Sequence, residues 1–115
     1  MNIKLGRHYL ADLYLCQNKL WDAPLQLATE IAKALAVNNF NWIVRTATQP
    51  VILISGEFEA TYILIQIFSE QRFLALDFFT WNPDFDLAHF SEILIELLAP
   101  QVVAAETRFR AEHLN

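Results

Sequence analysis

Three apolar segments follow one another closely in the middle of the chain, and they constrain its fold more than any other feature. They read VILIS at 51–55, ATYILIQIF at 60–68 and FLALDFFTW at 73–81. Each has the length and the β-branched or aromatic content of a strand. The dipeptide GE at 56–57 and the tetrapeptide SEQR at 69–72 are typical of turns. Because such short turns join antiparallel neighbours, the pattern predicts an antiparallel sheet.

Two amphipathic helices flank this region. The sequence WDAPLQLATEIAKALAVNN predicts a helix with Asp22 as its N-cap, Pro24 in its first turn and termination near residues 38–39. Its apolar residues recur every three or four positions, so one side of it should be buried. A second helix is predicted over 86–99, where Pro100 ends it.

Further strands are predicted at 7–16 and 40–47, and a last one over 101–110. The order is then β-α-β-β-β-β-α-β. Two helices can cover one side of an antiparallel sheet, which predicts an α+β two-layer sandwich formed by a single domain, residues 1–115. The other side of the sheet should be rich in aromatic residues and available for pairing.

The composition limits the classes of function. Of 115 residues, 55% are hydrophobic and 18% charged, so we expect a partner, most simply a second copy, to cover apolar surface. A net charge of −5 without a cluster of Lys or Arg argues against nucleic-acid binding. No apolar run has transmembrane length, and the N-terminus shows no leader. The single cysteine fits a reducing compartment, so we expect a soluble cytoplasmic protein.

The residues themselves form no complete catalytic constellation. The sequence has no Gly-rich phosphate loop, metal-ligand spacing or nucleophile elbow. Asp12 and Asp77 each interrupt an apolar strand, so each should face solvent or hold a hydrogen bond. An Asp77–Arg pair is the favoured interpretation, and a ligand-binding role is the alternative. The remaining candidate groups are interpreted as surface or structural: His8, His89, His113 and Cys16.

Two segments resemble the bacterial and archaeal S-adenosylmethionine decarboxylases. KLGRHYLADLYLC, residues 4–16, is similar to the family's opening strand, which carries Gly-Arg-His followed by a Cys. FSEQRFLALDFFTWNPDFDL, residues 68–87, is similar to the strand pair after the family's reaction centre. The resemblance implies the family's α+β fold, its dimer and a link to the biosynthesis of polyamines such as spermidine.

The resemblance also implies a particular chemistry. Members of the family cleave themselves before a Ser in a Glu-Ser-His sequence, and that Ser becomes a pyruvoyl group. The ketone forms a Schiff base with the substrate amine and accepts electrons as carbon dioxide leaves. A His a few residues later assists processing, and a Cys after the next strand protonates the product.

Counting back from Asp77 without gaps places Thr61, Gln66 and Trp81 at the positions of the family's Ser, His and Cys. Neither Gln66 nor Trp81 can exchange a proton at a useful pKa. Thr61 keeps a hydroxyl, although its extra methyl restricts χ1. In a second register, GEFEA at 56–60 becomes an insertion in the processing turn. Neither register supplies a Ser-His pair between residues 50 and 70.

These replacements predict a homologue that does not cleave itself, has no cofactor, and binds or regulates a partner in polyamine metabolism. The expected partners are a second copy or a related decarboxylase, with a cationic molecule such as S-adenosylmethionine or a polyamine as ligand. The candidate pocket residues are Tyr62, Phe68 and Glu70, together with Gln66 and Trp81. The alternative for the aromatic members is that they fill the vacated space.

Two other hypotheses remain open. The first is an active decarboxylase of S-adenosylmethionine or a related amino acid, processed at Thr61 to a 2-oxobutyryl group. The second is a small dimeric interaction module that shares only the fold.

Overall fold

A computed structural model describes residues 2–35, 41–46 and 51–114 of the chain. Its strands and helices, in order, are β1 (Asn2–Tyr14), α1 (Pro24–Ala34), β2 (Asn41–Thr46), β3 (Val51–Phe58), β4 (Thr61–Phe68), β5 (Phe73–Thr80), α2 (Leu87–Leu98) and β6 (Val102–Leu114). Short 3₁₀ turns occupy Lys19–Asp22 and Ser69–Gln71. The predicted order of elements and the α+β class are confirmed.

The six strands form one antiparallel sheet in the order β2-β3-β4-β5-β1-β6. Strands β2 to β5 are neighbours in both sequence and space, as short turns require. Strand β1 instead lies between β5 and β6, and β6 is an edge strand. The pairing of β1 with β6 runs from Asn2 opposite Leu114 to Tyr14 opposite Val102.

Strand alternation divides the sheet into two sides, because successive side chains point to opposite faces. One side, called the helix side, carries most of the buried strand residues and packs against both helices. The Phe78 ring lies 4.6 Å from the Phe90 ring of α2, and the Tyr9 hydroxyl lies 2.6 Å from Ser91 Oγ. Helix α1 contributes three buried residues to the same core: Leu27, Ala28 and Ile31.

The opposite side, called the open face, carries no helix among the described residues. The side chains of His8, Asp77 and Phe79 lie on it, as does that of Tyr62, which is 44% exposed. Aromatic side chains are prominent here, as the sequence predicts.

Two local predictions are wrong. Asp22 is not the N-cap of α1: it ends the 3₁₀ turn, and Ala23 takes the N-cap position without a side-chain hydrogen bond. Gly56 and Glu57 do not form a turn, because β3 continues through them and reverses at Glu59 and Ala60. The predicted helix end near residues 38–39 and the predicted strand ends at residues 40 and 47 lie outside the described residues.

Helix α2 has well-defined ends. The Asp86 carboxylate accepts a hydrogen bond from the His89 N–H at 3.0 Å, which makes it an N-cap. Ala99 follows the helix with φ 46°, and its N–H donates to the Ile95 carbonyl. No helix in the described part of the chain is long and apolar enough to cross a membrane.

Candidate functional site

A cavity of about 620 Å³ opens at the end of the sheet where β3 turns into β4. The β3–β4 turn, the first residues of β4, the end of β5 and one residue of β6 surround it. Its lining consists of Glu57, Phe58, Glu59, Ala60, Thr61, Tyr62, Phe79, Trp81 and Arg110. The cavity therefore combines two carboxylates, a guanidinium and several aromatic rings.

The Thr61 hydroxyl is one link in a chain of hydrogen bonds that runs from the Asn82 N–H to the Glu59 carbonyl. Thr61 and Thr80 are opposite each other in β4 and β5, and their hydroxyl oxygens are 2.7 Å apart. Thr80 Oγ1 accepts from the Asn82 N–H at 3.0 Å, while Thr61 Oγ1 donates to the Glu59 carbonyl at 3.2 Å. If Thr80 donates to Thr61, each of the two hydroxyls donates one hydrogen bond and accepts one. Both threonines are buried, so this arrangement satisfies groups that would otherwise be costly to bury.

The turn before Thr61 adopts an unfavourable backbone conformation. Glu59 and Ala60 have φ values of 34° and 58°, a region that favours glycine. The Trp81 N–H donates to the Ala60 carbonyl at 3.0 Å and so ties the turn to the end of β5. The bond that the family resemblance marks for cleavage, between Ala60 and Thr61, thus lies in a constrained and hydrogen-bonded turn.

A row of side chains crosses the open face beside the cavity. Glu57, Tyr62, Phe79 and His8 are successive partners in β3, β4, β5 and β1. The Tyr62 ring stacks on Phe79 with centroids 5.8 Å apart, and His8 meets Phe79 edge-on at 5.7 Å. The Arg110 guanidinium lies 5.8 Å from the centre of the Phe79 ring, a cation–π distance.

Gly6 allows these aromatic groups to lie close to β1. A Cβ at this position would come 2.6 Å from Phe79 Cζ and 2.8 Å from Trp81 Cζ3. Distances this short are incompatible with an unmoved side chain. The glycine therefore gives the Phe79 and Trp81 rings room against the backbone of β1.

Asp77 pairs with His8, so the predicted Asp77–Arg pair is wrong. His8 Nε2 donates to Asp77 Oδ1 across the β1–β5 pair on the open face. Arg7, the neighbouring residue, points to the other side, where its guanidinium donates to the carbonyls of Asn82 and Phe85 at 3.0 and 2.7 Å. Strand alternation thus directs the imidazole, and not the guanidinium, towards this carboxylate.

The electrostatic surroundings act on the Tyr62 hydroxyl. Burial raises the pKa of Tyr62 above its ordinary value, and the Asp77 carboxylate raises it further, whereas Arg110 lowers it. The phenol therefore stays protonated at neutral pH and can donate a hydrogen bond to a molecule in the cavity.

The structure separates the residues that the sequence suggested for one site. Thr61, Tyr62 and Trp81 line the cavity. Gln66 lies outside it, opposite Ala75 and about 13 Å along β4 from Tyr62. Phe68 and Glu70 are at the far end of β4, about 20 Å from Tyr62, so they do not share its cavity.

Six lining residues were not among the sequence candidates: Glu57, Phe58, Glu59, Ala60, Phe79 and Arg110. The sequence prediction placed Glu57 in a turn. In the structure β3 continues through it, with Ile54 and Gly56 buried and Glu57 exposed, as strand alternation requires. Phe79 and Arg110 carry no local signal, because the pairing of β1 with β5 and β6 brings them together. Among the described residues, no group of three or more His, Cys, Asp or Glu side chains could hold a metal ion.

Comparisons with known proteins agree with this fold. No protein-family model and no curated protein matches the sequence. Among solved structures, the chain is similar to the adenosylmethionine decarboxylase from Aquifex aeolicus VF5, with a TM-score of 0.70. The two sequences are 18% identical, and the match covers 91% of this chain and 89% of that chain. The similarity establishes the decarboxylase-like α+β fold.

Proposed function

We propose that this chain is a non-cleaving relative of the S-adenosylmethionine decarboxylases that binds a cationic small molecule in the cavity beside β4. A polyamine or S-adenosylmethionine itself is the ligand class, and regulation within polyamine metabolism is the proposed role. The shared fold supports the relationship. The ligand class rests on the residues that line the cavity.

The hydrogen-bond chain through Thr61 is the observation that supports the proposed absence of self-cleavage. Its hydroxyl is fixed between Thr80 Oγ1 and the Glu59 carbonyl, one residue before the carbonyl that it would have to attack. The residues that line the cavity within the described ranges include no His or Cys to carry a proton. Attack by Thr61 would therefore require both the loss of these hydrogen bonds and a proton acceptor from elsewhere.

The charges and rings of the cavity favour a cation. Glu57 and Glu59 supply two carboxylates, and Tyr62 and Trp81 supply aromatic surfaces. Amines and sulfonium groups interact favourably with both. Arg110 lies over Phe79, so part of its charge faces that ring.

Mass spectrometry of the purified protein tests the absence of self-cleavage. We expect one intact chain of 13.3 kDa. Two fragments that begin at residues 1 and 61, with a keto group in place of the Thr61 amine, would contradict the proposal.

Calorimetric titration tests the ligand class. Spermidine and S-adenosylmethionine should bind the wild type, and Glu57→Gln should weaken binding by about two- to fivefold, since it removes one exposed charge. Glu70→Gln is the matched control, because it makes the same chemical change at the far end of the sheet and should leave binding unchanged. Binding of neither ligand, or equal weakening by both variants, contradicts a cation site in this cavity.

The turn before Thr61 favours a second candidate, an enzyme processed at Thr61. Two residues with positive φ precede the bond, and the Ala60 carbonyl accepts from the Trp81 N–H, which would polarise it for attack. The same mass measurement distinguishes the two candidates. Trapping of an adduct with S-adenosylmethionine and borohydride would then support the enzyme.

A further inference from the structure

Among the residues that the structure describes, edge strand β6 leaves side chains exposed on both of its faces and backbone groups unpaired along its outer edge. Residues 101–110 are exposed on both sides of the sheet, and the strand pairs with β1 along one edge only. Large apolar groups are uncovered on both sides, since Val102 is 55% and Phe109 68% exposed. Its outer N–H and C=O groups form a template for another strand.

Two neighbouring side chains on the open face of β6 carry opposite charges. Glu106 and Arg108 lie on the open face and form an ion pair along the strand at 2.8 Å. Edge strands that avoid association carry charges, most often lysine, that repel a second copy. Here a second copy running antiparallel can place Glu106 of each copy opposite Arg108 of the other.

We infer that β6 pairs antiparallel with β6 of a second copy of this chain, about a two-fold axis at Thr107, to form one continuous sheet. A two-fold axis perpendicular to the sheet pairs residues that are equally distant from it on either side. With the axis at Thr107, Glu106 faces Arg108 of the second copy, and this attractive pair occurs twice. Opposite charges in directly facing positions stabilise antiparallel strands.

Neighbouring registers are unfavourable. An axis at Glu106 places that carboxylate opposite its own copy, and an axis at Arg108 does the same for the guanidinium. An axis at Phe109 sets Arg108 against Arg110. Like charges directly opposite each other destabilise a strand pair, so the charges select the Thr107 register among these four.

The apolar residues fit the same register. On the helix side, Phe109 comes opposite Ala105 of the second copy, and the small alanine leaves room for the ring. On the open face, Arg110 comes opposite Ala104, so its contact with Phe79 is undisturbed. Arg110 belongs to both this interface and the lining of the cavity, but the pairing of β6 does not depend on the proposed function.

Charge-reversal variants and the mass of the assembly in solution test the pairing. Glu106→Arg alone, or Arg108→Glu alone, sets like charges against each other twice. Each should weaken association by about tenfold or more and halve the mass of the assembly at concentrations near the dissociation constant. The double variant Glu106→Arg/Arg108→Glu recreates the attractive pairs and should restore association.

Cross-linking provides the second test. Thr107→Cys puts two thiols in directly opposed positions, within disulfide reach, and should give an oxidised product of twice 13.3 kDa. Ala105→Cys is the control, because the two copies of residue 105 lie about 13 Å apart in this register and should not cross-link.

Several outcomes overturn the inference. They are a wild type that stays monomeric, single reversals that associate as well as the wild type, a double variant that does not recover, or equal cross-linking of both cysteine variants. All substitutions are at exposed positions, and circular dichroism establishes that each variant is folded before its mass is interpreted.

Discussion

Single residues explain how the open face and the cavity keep their shape. Gly6 is needed because Phe79 and Trp81 lie against its backbone, and the paired threonines satisfy each other beneath the β3–β4 turn. The family resemblance identified the position of Thr61 from the sequence. It could not identify Thr80 as its partner, since that contact depends on the register of β4 against β5.

Gly6→Ala should destabilise the protein. The new Cβ would meet Phe79 Cζ at 2.6 Å, so the rings must move or the strand must shift. We expect a loss of about 1–3 kcal/mol in the free energy of unfolding, the usual cost of overpacking. Urea denaturation followed by tryptophan fluorescence measures it.

A double-mutant cycle shows whether the ring causes this loss. In a Phe79→Leu background, which has no Cζ atom, Gly6→Ala should cost about 1 kcal/mol less than in the wild type. An equal cost in both backgrounds would mean that the Phe79 ring is not responsible.

The helices and turns differ in how closely they follow their sequence signals. Helix α2 uses Asp86 as its cap, as its position before the apolar repeat indicates. Helix α1 follows a 3₁₀ turn that includes Asp22. Asp22 therefore has a helical backbone conformation, whereas an N-cap residue needs a non-helical one. Asn18 caps that turn instead, by accepting from the Leu20 N–H at 3.3 Å.

Asp86→Ala should destabilise α2. The substitution removes the acceptor for the His89 N–H and a negative charge at the helix N-terminus, and together they contribute about 1 kcal/mol. Chemical denaturation measures the change. Asp84→Ala is the matched control, because it removes an exposed carboxylate from the same loop without removing the cap, and it should change stability by less than about 0.5 kcal/mol.

Glycine at position 60 should make the β3–β4 turn, and with it the folded protein, more stable. Ala60→Gly relieves a left-handed conformation that costs a non-glycine residue about 1–2 kcal/mol, although the freer unfolded chain offsets part of the gain. We expect a net stabilisation of about 0.5–1 kcal/mol by thermal denaturation. Ala32→Gly within α1 should instead destabilise by about 1 kcal/mol, and a loss at both positions would contradict the strain assigned to the turn.

The whole molecule shows which features local patterns can predict. Periodicity predicted the strands and helices because each segment carries its own signal. It could not predict that β1 lies between β5 and β6, since that pairing joins distant segments and depends on the packing of the complete sheet. The cavity follows from this order: Arg110 reaches Phe79 only because β6 pairs with β1, which pairs with β5.

The stability of the whole molecule should fall at high pH because of Cys16. Burial raises the pKa of the Cys16 thiol from 9.0 to about 11, although Arg72 and a backbone hydrogen bond oppose this. Between these values the unfolded chain loses the proton and the folded chain keeps it. The stabilisation, about 3 kcal/mol, is therefore fully present below pH 9 and is lost as the pH rises through 11.

Denaturation at several pH values between 8 and 10.5 measures this decline. Cys16→Ala should start less stable, because the residue is fully buried, but it should decline less steeply over the same range. Parallel curves for the two proteins would assign the decline to other groups, such as Tyr62.

The position of β1 in the sheet has a consequence for how the protein is made. Both of its neighbours are synthesised late, since β5 begins at Phe73 and β6 at Val102. During synthesis, β1 therefore leaves the ribosome long before either partner strand exists. Until then, the backbone N–H and C=O groups of β1 have no strand to pair with. Sheets built from such distant pairs fold slowly, and their early strands are exposed to aggregation. A nascent chain stalled before Phe73 contains neither partner strand, so it should expose β1 to chaperones.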